Sequence, residues 1–167
     1  MVLREFEIRD SIIICGWPES RMDVFMWSAE KFGIFTLDEN ALADFYEAGW
    51  GDNILIPLVG VNDAGDVEGH ILLRYVDPSN RDEVRFSFVI VAPSIRGVGK
   101  GSELIGLAIE YVRDTLKASK IHLGVFEQNV PAVRCYESMG FVTTGSEVVY
   151  KTPDGDVWNC VEMEMLL

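Results

Sequence analysis

The chain has 167 residues, 49% of them hydrophobic, and a formal net charge of −13. This length suits a single domain with one core, and the acidic charge argues against a nucleic-acid-binding surface. No apolar run is long enough to cross a bilayer or to form a signal-peptide core, so we expect a cytoplasmic protein that does not contact membranes. Three cysteines and two histidines without metal-ligand spacing predict free thiols and no metal site.

The N-terminal third predicts one strand followed by helices. Charged residues alternate with apolar ones over residues 2–9, as in a half-buried strand. Residues 11–31 mix helical spacing with glycine and proline, which indicates a broken helix. Residues 36–39 have the form of a capping box, and the helix that they begin should end at Gly49.

The centre of the chain predicts two strands, 54–61 and 69–76, joined as a hairpin. Pro57 cannot donate a ladder hydrogen bond, so we expect an edge strand or a bulge there. Residues 84–91 read as the next strand. A stripe of apolar side chains over residues 104–116 then predicts the longest helix of the chain.

The C-terminal third predicts a strand at 121–126, a short helix, and a final hairpin of 145–151 and 157–166. Asn129 suits the N-cap of the short helix and Gly140 suits its end. No linker, repeat or low-complexity segment interrupts these elements. The pattern therefore predicts one α+β domain.

A glycine-rich segment lies between the strand at 84–91 and the longest helix. Arg96, Gly99 and Gly101 form an Arg-x-x-Gly-x-Gly pattern there. A glycine-rich turn that opens a helix presents N–H donors and a positive dipole end, which together bind phosphate. The Walker loop and the dinucleotide fingerprint do not fit, because Ser94 and Ser102 stand where those motifs need glycine. From this segment alone, a tight turn without a ligand remains the alternative.

A second motif follows the strand at 121–126. It begins at Asn129 and continues through Tyr136 to Gly140 and Phe141, in the form Asn…Tyr-x-x-x-Gly-Phe. Together the two motifs resemble the acetyl-coenzyme A site of the GNAT N-acetyltransferase superfamily over residues 84–142. The resemblance implies a central mixed, mostly antiparallel sheet of about six to seven strands with helices on both faces.

The resemblance also implies how the chain is organised around its co-substrate, acetyl-coenzyme A. One domain would span residues 1–167, with acceptor-side helices at 11–49 and an acetyl-coenzyme A-binding core at 84–142. Tyr136 matches the family tyrosine that protonates the departing thiolate, although a tyrosine on an amphipathic helix can also be a simple core aromatic. The residues that the resemblance assigns to the co-substrate are Val89, Val91, Arg96, Gly97, Val98, Gly99, Lys100, Gly101, Ser102, Asn129, Ala132 and Tyr136.

The residue that accepts the proton of the amine is less evident. Many relatives carry an acidic residue on the strand before the loop, but residues 84–91 contain none. Glu83 and Glu127, at the ends of neighbouring strands, are the candidate bases, acting through water. Cys135 lies beside Tyr136 but has no His–acid partner in the sequence, so we do not expect it to be a nucleophile.

Two residues are candidates for binding the acceptor. Arg85 could bind an acceptor carboxylate, or it could be an exposed strand arginine. Trp27 belongs to the aromatic N-terminal region that usually shapes the acceptor pocket in the superfamily. The acidic balance of the chain favours a small cationic amine, whereas Arg85 favours an amino acid.

The sequence therefore predicts an N-acetyltransferase that acts on a primary amine of a small molecule or peptide. We expect direct attack in a ternary complex, by a monomer or homodimer without a metal. The first alternative is a coenzyme A-binding sensor or regulatory module of the same fold with little transferase activity. The second is a protein-interaction domain in which the fold persists without a ligand.

Overall fold

The computed structural model describes all residues from 1 to 167. Seven strands form one sheet in the order β1-β2-β3-β4-β5-β7-β6. The strands are β1 (Val2–Glu5), β2 (Leu55–Val61), β3 (Val67–Asp77), β4 (Asn80–Val91), β5 (Lys120–Phe126), β6 (Val142–Lys151) and β7 (Val157–Leu166). The helices are α1 (Asp10–Cys15), α2 (Arg21–Ser28), α3 (Ala41–Ala48), α4 (Lys100–Tyr111) and α5 (Val130–Ser138). None of them is long and apolar enough to cross a membrane.

The sheet is mixed and mostly antiparallel, and each face carries its own apolar cluster. Only β4 and β5 pair in parallel. On one face, α4 and α5 pack on alternate strand residues such as Leu58 and Phe86. On the other face, α1 and α3 pack on Val59 and Val61. These features confirm the expected α+β fold with helices on both faces.

The strand β2 lies between β1 and β3, but at Pro57 it pairs with β3 alone, so the expected edge position is confirmed locally. The carbonyl of Pro57 accepts a hydrogen bond from the N–H of Phe6 at 3.0 Å. An antiparallel pair of this kind needs a second bond in return, which proline cannot donate. The pairing of β1 therefore ends at Glu5, short of the predicted strand 2–9.

The sequence predicted that a capping box at residues 36–39 begins the next helix, and this prediction was wrong. The helix α3 begins at Ala41, and its N-cap residue Asn40 makes no side-chain capping bond. Asp38 instead accepts a hydrogen bond from the N–H of Asn40 at 2.8 Å. Asp38 thus closes a local turn ahead of α3, and the helix starts after this turn. It ends at Gly49, as expected.

The two central strands part halfway along their length. Parallel pairing of β4 with β5 runs only from Glu83 to Phe86 on β4. Beyond it, β4 contains a bulge at which Phe88, with φ of 53°, and Val89 together oppose Ile71 of β3. From there β4 stays paired with β3, whereas β5 continues along β7. The separation leaves an opening through the sheet.

Two glycines make room for side chains between the sheet and α4. Gly60 and Gly69 are direct partners of β2 and β3. A Cβ atom at Gly60 would meet Met1 first and then Leu104 Cδ1 at 3.2 Å, and one at Gly69 would lie 3.0 Å from Leu104 Cδ2. Met1 and the fully buried Leu104 thus occupy the space that two side chains would fill. The contact of Leu104 with Gly69 packs α4 directly on β3.

We expect Gly69→Ala to destabilise the protein by about 1–3 kcal/mol, because the added methyl group would overpack Leu104. In an unobstructed strand the same change would stabilise by roughly 0.5–1 kcal/mol. Urea unfolding measures the change in the free energy of unfolding. A decrease in Gly69→Ala supports the close contact with Leu104, and an increase contradicts it. A double variant with Leu104→Val should be less destabilised than the sum of the two single variants. Additive losses would contradict the packing described here.

Candidate active site

Two cavities meet at the opening between β4 and β5. The loop-side cavity, about 540 Å³, lies between the end of β4, the glycine-rich segment and α5. The sheet-side cavity, about 380 Å³, lies mainly on the other face, between α2 and strands β4 to β7. Met26, Trp27, Val89, Asn129 and Tyr136 belong to the walls of both. We call the place that these five residues surround the junction.

The glycine-rich segment forms an open cradle at the loop-side cavity. After a 3₁₀ turn at Pro93–Ile95, Gly97 and Gly99 adopt φ of 75° and 85°, a left-handed region that favours glycine. A Cβ atom at Gly97, Gly99 or Gly101 would meet nothing within 4 Å. The N-cap Gly99 has no side chain to cap α4, so the first amides of this helix remain available to a ligand.

Most of the predicted co-substrate residues line this cavity, and two of them do not. Those that line it are Val89, Val91, Arg96, Gly97, Gly99, Gly101, Ser102, Asn129, Ala132 and Tyr136. Val98 does not, and its side chain is 72% exposed. Lys100 does not either, because its ammonium donates to Glu103 at 2.8 Å on the outer side of the helix. Arg96 is therefore the cation that faces the cavity.

On α5, Asn129 accepts a hydrogen bond from the N–H of Ala132 at 3.3 Å, which confirms it as the N-cap. This cap holds the helix so that Tyr136 reaches the junction. The Tyr136 side chain is buried and packs edge-on against Phe141 at 5.8 Å between ring centroids. Burial raises the pKa of its hydroxyl, so the hydroxyl stays protonated throughout the physiological range. It is a proton donor placed between the two cavities.

The bulge of β4 is held by two ring N–H groups. The carbonyl of Phe88 accepts from Trp27 Nε1 at 2.9 Å and lies 3.0 Å from His70 Nδ1 on β3. Because the N–H of a trans peptide points opposite to its carbonyl, the N–H of Val89 turns away from these two rings. Val89 belongs to the walls of both cavities.

His70 is the fully buried member of this arrangement, and its role was not evident from the sequence. Burial lowers the pKa of His70 to about 4, so the ring is neutral near pH 7. A carbonyl can only accept, so Nδ1 carries the proton and donates it to Phe88. Nε2 then accepts from the hydroxyl of Tyr46 at 2.8 Å. The tautomer is thus fixed from both sides.

The two candidate bases lie away from the cavities. Glu83 bonds His122 Nε2 at 2.6 Å near the start of the parallel pairing, about 17 Å of strand before the bulge. Glu127 is exposed beyond the end of β5. Neither contributes to a cavity wall. The carboxylates that do are Asp23 at the loop-side cavity and Glu162 at the sheet-side cavity.

Glu162 is a site residue that sequence reasoning missed, because it is one of two acidic residues alternating on β7. It binds Arg85 in a two-pronged ion pair with distances of 2.5 and 2.8 Å. Burial alone would lower the pKa of Arg85, but the carboxylate of Glu162 outweighs it and raises the pKa. Arg85 therefore lines the sheet-side cavity with its charge already paired.

The surroundings of Cys135 and the arrangement of metal-binding side chains bear on covalent and metal-dependent chemistry. Cys135 contacts Ser102 with 3.3 Å between Sγ and Oγ, which links α5 to the first turn of α4. No histidine–acid pair lies next to this thiol. No group of three or more His, Cys, Asp or Glu side chains is arranged to hold a metal ion.

Comparison with known proteins gives the family. The model of the acetyltransferase (GNAT) family matches residues 15–141. The protein therefore belongs to this family, which confirms the resemblance of the glycine-rich segment and of the motif around Tyr136.

The chain also superposes on the solved structure of a spermidine N-acetyltransferase from Vibrio cholerae in complex with CoA and spermine. The TM-score is 0.80, with 26% identity over 99% of this chain and 94% of that one. By sequence, a spermidine N(1)-acetyltransferase of Vibrio cholerae is 40% identical over 145 residues, 87% of this chain and 80% of the relative.

A second group of relatives differs in length. A mycothiol acetyltransferase of Corynebacterium glutamicum is 28% identical over 145 residues, which are 86% of this chain and 46% of the relative. The chain thus spans about half the length of this relative.

The buried His70 predicts a particular pH dependence of stability. Its folded pKa of about 4 lies below the ordinary value of 6.5, so between these values the unfolded chain binds the proton more readily. The free energy of unfolding should therefore fall as the pH drops through this window, by roughly 3 kcal/mol from this residue. His70→Asn should be less stable at pH 7.5 but should lose less stability between pH 6.5 and 4. Equal losses in urea unfolding of both proteins would contradict the assignment.

Proposed function

We propose that the protein is an N-acetyltransferase that transfers the acetyl group of acetyl-coenzyme A directly to a primary amine at the junction. The observation that carries this proposal is the meeting of two cavities, from opposite faces of the sheet, at Val89 and Tyr136. The likeness to a Vibrio cholerae enzyme that binds CoA and spermine supports it.

The loop-side cavity suits the co-substrate. The open cradle at Gly97, Gly99 and Gly101 lets a pyrophosphate approach the backbone, and the uncapped amides of α4 would hold it. Arg96 adds a positive charge at the cavity wall. We assign residues 84–142 to this side, as the sequence predicted, with Val98 and Lys100 contributing through backbone N–H groups rather than side chains.

The sheet-side cavity would then receive the amine. Its walls include Trp27 of α2 and Lys31 and Trp50 from the segments that follow α2 and α3. This placement supports the assignment of the helices in residues 11–49 to the acceptor side. An amine in this cavity would approach the junction from the face opposite α4 and α5.

Acetyl-coenzyme A supplies an acyl carbon that is activated by its thioester. The N–H of Val89 would donate to the oxygen on which negative charge develops, while Trp27 and His70 hold the preceding carbonyl in place. The new C–N bond forms as the C–S bond breaks, and the Tyr136 hydroxyl would give its proton to the thiolate. The raised pKa of Tyr136 does not prevent this transfer, because the same dry surroundings make the thiolate more basic as well.

The proton of the amine has no free carboxylate to receive it at the junction. Glu83 and Glu127 lie outside both cavities, and both oxygens of Glu162 are bound by Arg85. We therefore assign deprotonation of the amine to water in the sheet-side cavity.

The cradle can be tested with Gly101→Val. Gly101 has ordinary helical geometry, so valine there should leave the fold intact while its side chain enters the loop-side cavity. We expect binding of acetyl-coenzyme A, measured by calorimetry, to weaken at least about tenfold, a loss of 1.4 kcal/mol. Wild-type protein at 100 times the dissociation constant should gain about 2.7 kcal/mol of stability, and the variant should gain less.

Glu110→Val is the matched control, because it places the same side chain on the exposed part of the same helix. It should bind acetyl-coenzyme A as the wild type does. Unchanged affinity in a folded Gly101→Val protein would refute the assignment of the loop.

The proton donor can be tested with Tyr136→Phe, which keeps the ring and removes the hydroxyl. The maximal rate of thiol release should fall by about 10²–10⁴-fold, with little change in the affinity for acetyl-coenzyme A. Tyr111→Phe makes the same chemical change on α4, outside both cavities, and should keep the wild-type rate. Full turnover in Tyr136→Phe would show that the hydroxyl has no role in the chemistry. Binding without thiol release from any amine in the wild type would favour a coenzyme A-binding sensor.

A further inference from the structure

We infer that the sheet-side cavity contains an anion subsite formed by Arg74, and that the acceptor is a primary amine that also carries a carboxylate. This inference rests on the proposed transferase function and names the acceptor class for it. It assigns the free positive charge of the cavity to Arg74, in place of the Arg85 predicted from the sequence.

The first observation is the direct opposition of two arginines. Arg74 of β3 and Arg85 of β4 are register partners, so their side chains leave the same face of the sheet about 5 Å apart. Both belong to the wall of the sheet-side cavity. Like charges placed in this way destabilise a sheet unless an anion lies between them.

The second observation is that the available carboxylate is already committed. Glu162 gives both its oxygens to Arg85. Arg74 makes a single hydrogen bond, to the neutral Oδ1 of Asn53 at 3.3 Å, and its buried Nε has no partner. Burial and then the charge of Arg85 lower the pKa of Arg74, and the nearby charge of Glu162, which is bonded to Arg85, offsets this only in part.

The third observation is that Arg74 is held in place without being neutralised. Its guanidinium lies over the ring of Trp50, with Cζ 4.9 Å from the ring centroid, while Asn53 fixes one end. Trp50 also stacks on Phe88 of the bulge, with 5.7 Å between centroids. A cation held by an aromatic face keeps its donors free for a planar anion, and a carboxylate matches the fork of arginine.

The charges in the wall argue against a polyamine acceptor. Lys31, Arg74 and Arg85 contribute three positive charges against the single carboxylate of Glu162. A second ammonium group of a polyamine would lie among these cations and find no free anion. A carboxylate on the acceptor would neutralise Arg74 and direct the amine toward the junction. The volume of about 380 Å³ is at the small end of ligand cavities, which suits an amino acid.

The test compares acceptors that differ only in the group remote from the amine. One series is 5-aminopentanoate, pentylamine and 1,5-diaminopentane, and a second pair is L-leucine and L-leucinamide. Binding to the coenzyme A-loaded protein is measured by calorimetry, and thiol release from acetyl-coenzyme A is measured separately. We expect the carboxylate member to bind at least about tenfold more tightly than its neutral analogue in at least one series, as expected for a hydrogen bond to a charged group.

Arg74→Gln should abolish this preference, because the carboxylate members should then bind no more tightly than their neutral analogues. Arg81→Gln is the matched control, because Arg81 also lies over an aromatic ring, that of Tyr75 at 5.4 Å, but outside the cavity. It should behave as the wild type does. Arg74→Lys keeps the charge without the fork and should retain part of the preference.

The stability of the unliganded protein separates a binding role from a structural one. Removal of a partly buried, unpaired charge next to Arg85 should leave the melting temperature of Arg74→Gln unchanged or raised. A large decrease, with the loss of all acceptor binding, would mean that Arg74 only supports the fold. Tightest binding of 1,5-diaminopentane, or equal binding of all members in both series, would overturn the inference.

Because acceptor binding and thiol release are measured separately, the Arg74 subsite and the proposed transferase function can fail independently. Carboxylate-selective binding that depends on Arg74 would support the subsite even if no thiol were released, in which case only the transferase proposal would fail. Transfer to amines without any carboxylate preference would support the transferase proposal and overturn the Arg74 subsite.

Discussion

The parting of β4 from β5 is the constraint on which the rest of the structure depends. A parallel pair normally continues until one strand ends, but here the pairing stops at Phe86 although both strands go on. The bulge at Phe88 turns β4 aside, and a positive φ at a bulky residue persists only when its surroundings enforce it. Trp27 and His70 provide that enforcement by binding the Phe88 carbonyl. The N–H of Val89 points away from both rings, because it shares a peptide plane with the Phe88 carbonyl.

The opening also explains why the proposed substrates would come from different faces. The helices α4 and α5 close one face and form the loop-side cavity, while α2 and the segments after α2 and α3 border the other. Tyr136 belongs to the walls of both cavities, where β4 and β5 have parted. Val89 of the bulge also lines both cavities, so the two residues lie at a place that the cavities share. If both cavities lay on the same face of the sheet, they would have to overlap in order to share Val89 and Tyr136.

The electrostatics of the site follow from local contacts and not from the total charge. The chain carries a net charge of −13, yet the wall of the sheet-side cavity is positive. Exposed acidic residues are screened by salt within about 8 Å, whereas charges inside a cavity interact at contact distance. Arg85 is neutralised by Glu162 and Lys100 by Glu103, so Arg74 and Arg96 are the arginines left to face the two cavities.

The sequence by itself determined the order of the elements, the glycine-rich segment and the motif from Asn129 to Phe141, because periodicity, glycine placement and caps are local signals. It could not determine the partner of each charge. Arg74, Arg85 and Glu162 come from three strands, and only the sheet register brings them to one face. The same holds for the early end of β1 at Pro57 and for the neutral His70, whose buried position depends on contacts far apart in the chain. Pairing between distant segments was decided by the tertiary structure alone, since a strand reveals which face it buries but not which neighbour it meets.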